Sequence, residues 1–338
     1  MDSAIGVVVI GRNEGERLRR CLRSLGEQVT RAVYVDSGSQ DDSVAFARGL
    51  GAAVIELDTS FPFTAARARN EGLRALAAND RDVELVQFVD GDCEIEAGWL
   101  ARAAAELRAQ PSLAVVFGRR RERARDASPY NRLCDLEWDV PVGDVLACGG
   151  DALMRALPVR EVGGYDAALI AGEEPDLCRR LRARGLGIRR IDAPMTVHDA
   201  AITRVGQWWR RTMRGGYVDA EGIARHGRGY ERWRNAWSNL LWAGALPAAA
   251  LAVFVSALAT ARWFAAIAAV AAPLAIYALQ WLRIARGAAK RWSRADAALW
   301  AWSCVLGKWP CAQGMLTYWW RRAFARQRRL IEYKGPAR

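Results

Sequence analysis

Residues 88–96 read FVDGDCEIE, two aspartates one residue apart at the end of an apolar run, Val83, Leu85, Val86, Phe88 and Val89. In extended backbone, residues i and i+2 point to the same side. Asp90 and Asp92 can therefore face one ligand, and Gly91 lets the backbone approach it. Paired hard oxygen donors suit Mg2+ or Mn2+, which keep waters and take further oxygens from a diphosphate. An Asx turn ending a strand would use the same residues. A calcium loop of the EF-hand kind would not. Counting from Asp90, its Gly and Glu places hold Ile95 and Ala101.

Three further stretches carry acids or a ligand in places where chemistry could use them. In VYVDSGSQDD, Asp36 ends an apolar run, while Ser39 or Asp41 can cap the helix that follows. In AGEEPDLCRRLRARG, Glu173, Glu174 and Asp176 surround Pro175. On the residues alone that pattern is what a helix N-terminus favours, with an acid–base site as the alternative. His198, in MTVHDA, can be a structural imidazole or a metal ligand. No GxGxxG follows the first apolar run and no GxxxxGKS/T occurs, so dinucleotide and P-loop chemistry are excluded.

The elements that must position these residues alternate. AIGVVVI, RAVYVD, AAVIEL and VELVQFVD read as strands, the first buried on both faces. EGERLRRCLRSL, SQDDSVAFARGLG and TAARARNEGLRALA read as helices between them. Such alternation predicts an α/β domain with a mostly parallel, Rossmann-like sheet and helices on both faces. Ligands of these sheets bind beyond the carboxyl ends of the strands. Gly11 to Glu14, Asp36 to Ser39 and Asp90 to Asp92 are expected to meet there.

The chain of 338 residues carries a formal net charge of +12. Nucleic acid, anionic lipid and phosphorylated substrates could all answer that charge. The apolar residues narrow the choice. Leu240 to Ala261 and Trp263 to Leu282 contain no charged residue, and each is close to the roughly 20 residues that span a bilayer. Core helices of a large soluble protein are the alternative. A third stretch, 297–320, is broken by Lys308 and Pro310. The loop 283–294 and the tail with Arg321, Arg322, Arg326, Arg328, Arg329 and Lys334 are basic. The positive-inside rule places both in the cytosol. The expected organisation is a cytosolic domain over 1–235 and a membrane domain over 236–338. The latter would hold spans near 240–261 and 263–282, a re-entrant or interfacial segment near 297–320 and a basic tail, all in the cytoplasmic membrane. The seven cysteines form no CxxC pair and read as reduced thiols.

The succession VVVIGRNEGERLRRCLRSL, VYVDSGSQDDS, ARARNEGLRAL, QFVDGDCEIEAGWL, CGGDALMR, VGGYD and GEEPDLCRRLRARG resembles the family 2 glycosyltransferases of the GT-A fold. The resemblance covers about residues 4–215. It implies an inverting transfer from a nucleoside diphosphate sugar, assisted by Mn2+ or Mg2+, to a lipid-linked or saccharide acceptor at the membrane, with no nucleic-acid partner. Asn13 and Glu14 would border the nucleotide, and Asp36 would bind its base or ribose. Arg69 and Asn70 would lie beside the donor. Asp90 and Asp92 match the DxD motif, Asp92 as metal ligand and Asp90 toward ribose or metal, with His198 as a further ligand. Glu174 stands where the family commonly has the Asp that acts as general base. GQWWRRTMRGGY departs from the Gln-x-x-Arg-Trp motif of processive synthases, which implies transfer of a single sugar. An interfacial basic helix is an equal reading of that stretch.

Overall fold

The computed structural model describes residues 4–61, 63–79 and 83–324. Arg326, Arg328, Arg329 and Lys334 of the basic tail lie outside them. The strands are β1 (Ile5–Gly11), β2 (Ala32–Asp36), β3 (Ala53–Glu56), β4 (Leu85–Asp90), β5 (Cys93–Ile95), β6 (Leu113–Glu122), β7 (Gly143–Asp144), β8 (Ala152–Arg155) and β9 (Gly187–His198). The helices are α1 (Glu16–Ser24), α2 (Ser43–Gly49), α3 (Ala65–Asn79), α4 (Trp99–Ala109), α5 (Pro129–Trp138), α6 (Ala156–Glu161) and α7 (Glu173–Ala183). They are followed by α8 (Val205–His226), α9 (Trp233–Leu240), α10 (Leu246–Ala259), α11 (Trp263–Ala288), α12 (Arg294–Leu306) and α13 (Lys308–Ala323).

The chain forms two compact units. One is built on residues up to Asp126 and Glu137–Ala201, the other on Ala127–Leu136 and the residues from Ile202 onward. The first unit holds one sheet of order β3-β2-β1-β4-β8-β6-β9-β5, with β7 paired to β9. Its first four strands are parallel, as the alternating sequence predicts, and β8 joins antiparallel to β4 and β6. Val7, Val8 and Val9 of β1 are fully buried, which is why that strand reads as a continuous apolar run. The register sets Gly11 opposite Asp36 and Ile10 opposite Asp90. The carboxyl ends of β1, β2 and β4 are thereby level, and the acids that end two of them share one edge.

The second unit is helical. Two of its helices, Trp233–Ala259 and Trp263–Ala288, are long and apolar enough to cross a membrane by length and composition. Only 6% and 11% of their most apolar windows are buried within the protein. Phe264, Ile267 and Leu251 lie exposed along them, unlike the side chains of a soluble core helix. Pro247 has no N–H to continue the ladder, and one π-helical turn, Leu241–Ala245, precedes it. The third apolar stretch divides at Gly307 into α12 and α13, of 13 and 16 residues, both shorter than a bilayer span.

Helix α13 lies against α8 through glycines. A Cβ on Gly216 would stand 1.9 Å from the carbonyl oxygen of Cys311, and one on Gly314 would stand 1.9 Å from that of Met213. The two backbones touch, as small-residue helix contacts allow. Gly216→Val or Gly314→Val must force the helices apart and is expected to cost about 2 kcal/mol or more. Thermal unfolding in detergent reads this. Gly244→Val, where a Cβ meets nothing within 4 Å, should leave the helical unit's melting temperature nearly unchanged.

Candidate active site

The loops after β1 and β2 are joined to each other. The N–H of Asn13, at φ 53, donates to Ser39 Oγ at 2.9 Å, and the N–H of Gln40 donates to Asn13 Oδ1 at 2.7 Å. The N–H of Gly15 donates to Asp41 Oδ2 at 3.1 Å, and Glu14 pairs with Arg17 at 2.9 Å. Asp36 is buried beneath them. Its Oδ2 accepts the N–H groups of Gly38 (2.9 Å) and Ser39 (2.8 Å), and its Oδ1 accepts the hydroxyls of Tyr34 and Ser39. A carboxylate has about four acceptor positions, and the turn takes all of them. A direct bond from Asp36 to a base or ribose would require one of these to be given up.

Arg69, on α3, is the centre of the opposite side. Only 2% exposed, its guanidinium donates to Asp90 Oδ1 at 2.9 Å, Glu173 Oε1 at 2.9 Å and Glu174 Oε1 at 3.0 Å. It therefore ties the end of β4 to the first turn of α7. Gly150 permits this close set. A Cβ there would stand 2.6 Å from Arg69 Nη2 and 2.8 Å from Asp90 Oδ2. Asn70, the next residue, faces elsewhere. Its amide exchanges hydrogen bonds with the backbone N–H and C=O of Tyr165, at 2.8 and 2.7 Å. It fixes the VGGYD loop.

Burial, then the neighbouring Glu173, push the carboxyl of Glu174 up to about 7, and Arg69 opposes them. A general base is most effective with its pKa near the working pH. Asp176 instead pairs with Arg180 one turn on, at 2.8 Å, which is helix stabilisation.

Asp92 and His198 form the third corner. Cys93 and His198 pair β5 to β9 in register, which sets His198 Nε2 3.4 Å from Asp92 Oδ2. Burial lowers the imidazole's pKa, so it is neutral and able to act as a ligand. On the far side of the ring, Glu122 Oε2 lies 3.6 Å from Nδ1. Asp92, Cys93 and His198 present ligand atoms within 4.8 Å of one another. Burial and the charges of Asp151 and Asp90 raise the Cys93 thiol well above its usual value. It stays protonated and leaves an oxygen and an imidazole nitrogen as donors. That pair fits Mn2+ or Mg2+, which take their remaining ligands from water and diphosphate.

The motifs do not single out Asp151, Arg120, Glu122 or Glu173 for a role. Asp151, with no exposed side chain, accepts the N–H of Asp90 (3.1 Å), the hydroxyl of Thr196 (2.8 Å) and the guanidinium of Arg120 (2.8 Å). Arg120 also approaches Asp90 at 3.8 Å and lies over the Trp138 ring. Its position in GRRRERAR looks like a solvated charge run. The one usable signal is period two over the last three residues of β6, where Arg120 and Glu122 flank the exposed Arg121.

The comparisons with known proteins agree with this geometry. Residues 6–139 match the family described as glycosyl transferase family 2. That stretch is similar to family 2 glycosyltransferases, and the sheet it contributes to is of the GT-A kind. It is 28% identical over 223 residues to a pre-mycofactocin glycosyltransferase of Mycobacterium tuberculosis, covering 61% of this chain and 45% of that protein. It is 34% identical over 132 residues to a TPR repeat-containing protein of Synechococcus elongatus, covering 39% of this chain and 31% of that one. The chain therefore spans less than half the length of these curated relatives. A mannosyltransferase from Pyrobaculum calidifontis, solved with GDP-Man and Mn2+, shares the fold at a TM-score of 0.55 and 19% identity, over 94% of this chain and 88% of that one.

Removing Arg120 would leave Asp151 buried without its cation. Arg120→Met is expected to destabilise the α/β unit by about 3–5 kcal/mol, read by chemical denaturation followed through tryptophan fluorescence. Arg23→Met, at a largely exposed arginine, should not move the transition.

Proposed function

We propose that the chain transfers a single sugar from a nucleoside diphosphate sugar to a lipid-linked or saccharide acceptor at a membrane, with inversion. The observation that carries this reading is the Arg69 bridge. One guanidinium joins Asp90, at the donor edge of the sheet, to Glu174, a carboxyl poised near neutrality. A donor bound over the ends of β1, β2 and β4 would lie along Asn13, Glu14 and the turn organised by Asp36. Asp92 and His198 would hold Mn2+ or Mg2+, with Asp90 toward ribose or metal. When bound, such an ion supplies positive charge that stabilises the leaving diphosphate.

The remaining steps belong to the protein. Glu174 accepts the proton of the acceptor hydroxyl. The hydroxyl oxygen forms a bond to the anomeric carbon from the face opposite the diphosphate, and the bond to the diphosphate oxygen breaks. One displacement inverts the configuration. Arg69 holds Glu174 in place and keeps part of its basicity down. The exposed apolar helices Trp233–Ala259 and Trp263–Ala288 support an anchor in the cytoplasmic membrane, with residues 1–235 as its cytosolic catalytic part. Exopolysaccharide or glycolipid assembly suits that placement.

A donor screen on the purified full chain, reading nucleotide release with and without Mn2+, tests the reading. No release with any nucleotide sugar, at any metal, would refute it. Glu174→Gln keeps the shape but cannot take a proton, and should lose about 10²–10⁴-fold in rate with donor affinity unchanged. Asp176→Asn should behave like wild type. A dead Asp176→Asn beside an active Glu174→Gln would move the base to Asp176.

The pH profile adds a separate check. Below its pKa Glu174 is protonated and cannot act as a base, so the rate should rise as pH increases through about 7 and then level. Arg69 lowers that pKa, so Arg69→Gln should shift the rising limb to higher pH. For topology, a cysteine at Ala261 should react with an impermeant thiol reagent on intact cells, and one at Ala288 should not. The reverse pattern would invert the assigned orientation.

A further inference from the structure

The helical unit contains a polar group that the sugar transfer does not use. Asn235 and Asn239 lie one turn apart on the same face of the Trp233–Ala259 helix. Lys308 Nζ donates to Asn239 Oδ1 at 3.1 Å and to Asn235 Oδ1 at 3.5 Å. Among the described residues, no carboxylate forms an ion pair with it. The neighbouring acid, Asp219, is taken by Arg232 at 2.9 Å, by the Tyr230 hydroxyl at 3.2 Å and by Asn235 Nδ2 at 3.2 Å. Asn239 is only 1% exposed, and its Nδ2 has no hydrogen-bond partner.

A half-buried ammonium without a counter-ion thus stands beside a buried amide that lacks an acceptor. Both deficits are costly, and one oxyanion would satisfy both. The surroundings say which oxyanion. Trp242, close to Asn239 in sequence, Tyr277 and Trp309, next to Lys308, form a row of tilted rings with centroids 5.6 and 5.3 Å apart. Such rings collect where lipid headgroups meet the apolar layer. Basic nooks between helices at the cytosolic level take acidic headgroups.

We propose that Lys308 and Asn239 bind the phosphate of an anionic membrane lipid, one per chain. The inference rests on the reading of the two apolar helices as membrane spans. That reading has its own check. The full chain should leave membranes with detergent and not with carbonate or high salt.

Native mass spectrometry of the full chain in detergent tests the site, with phosphatidic acid as probe. Diacylglycerol of the same acyl chains is the control without phosphate, and inorganic phosphate is the soluble competitor. The wild type should retain one phosphatidic acid and no diacylglycerol, and millimolar inorganic phosphate should not displace the lipid. Lys308→Met should weaken retention about tenfold or more, as loss of a charge-assisted bond to phosphate does, and Lys308→Arg should keep most of it. Should Lys308→Met fail to fold, Asn239→Asp takes its place. It puts a fixed carboxylate beside the ammonium and should abolish retention. Equal retention by Lys308→Met or by Asn239→Asp overturns the proposal, as does equal retention of diacylglycerol. Displacement by inorganic phosphate overturns the assignment to lipid and leaves a soluble phosphate site.

Discussion

The site depends on one buried cation. Arg69 has given up water almost completely, and a charge in that position persists only when paired and hydrogen-bonded. Its partners come from far along the chain, Asp90 from the end of β4 and Glu173 and Glu174 from the first turn of α7. Folding the sheet is what brings them to it. The same contacts set the chemistry. Burial and then Glu173 raise the basicity of Glu174, Arg69 restrains it, and the balance falls near neutrality. Neither influence alone would leave a carboxyl both available and basic at that pH.

The charge balance also favours the divalent cation of the proposed transfer. Against Arg69 and Arg120 stand Asp90, Asp92, Glu122, Asp151, Glu173 and Glu174. His198 adds no charge, because burial keeps its imidazole neutral. A diphosphate approaching this edge meets an excess of negative charge. Two more positive charges, placed where Asp92 and His198 can hold them, turn repulsion into attraction.

Much of this was legible from residue type and spacing. The apolar run of β1, the acids ending β2 and β4 and the glycine between Asp90 and Asp92 all follow from period two and from what strand ends do. The break in the last apolar stretch followed from Lys308 and Pro310, and the chain turns at Gly307 just before them. What stayed hidden depended on partners distant in sequence. Arg120 sits in a run of arginines that reads as solvated, yet Asp151, which comes from β8's approach, draws it inward. Asn70 has the same residue type whether it meets a donor or a backbone, and only the fold shows it clasping Tyr165. Asp36 is similar, since a strand-end acid gives no sign that its own turn will fill every acceptor position.

Exposure then separates two kinds of acid that look alike in sequence. The side chains of Asp151 and Glu122 are fully buried and Glu173 is 4% exposed, each bonded within the fold. Glu174 is 16% exposed and Asp90 30%. The most buried carboxylates cannot meet a substrate without first losing bonds that hold strands together. Arg69 joins both of those that keep contact with solvent, and the buried Glu173 besides. A guanidinium has several donors in one plane, so it can hold one oxygen of each carboxylate at once. Lysine would hold them as a point charge without the planar fork that sets their spacing. The positional precision that the proposed displacement requires between base and leaving group would therefore come from a guanidinium almost completely withdrawn from water.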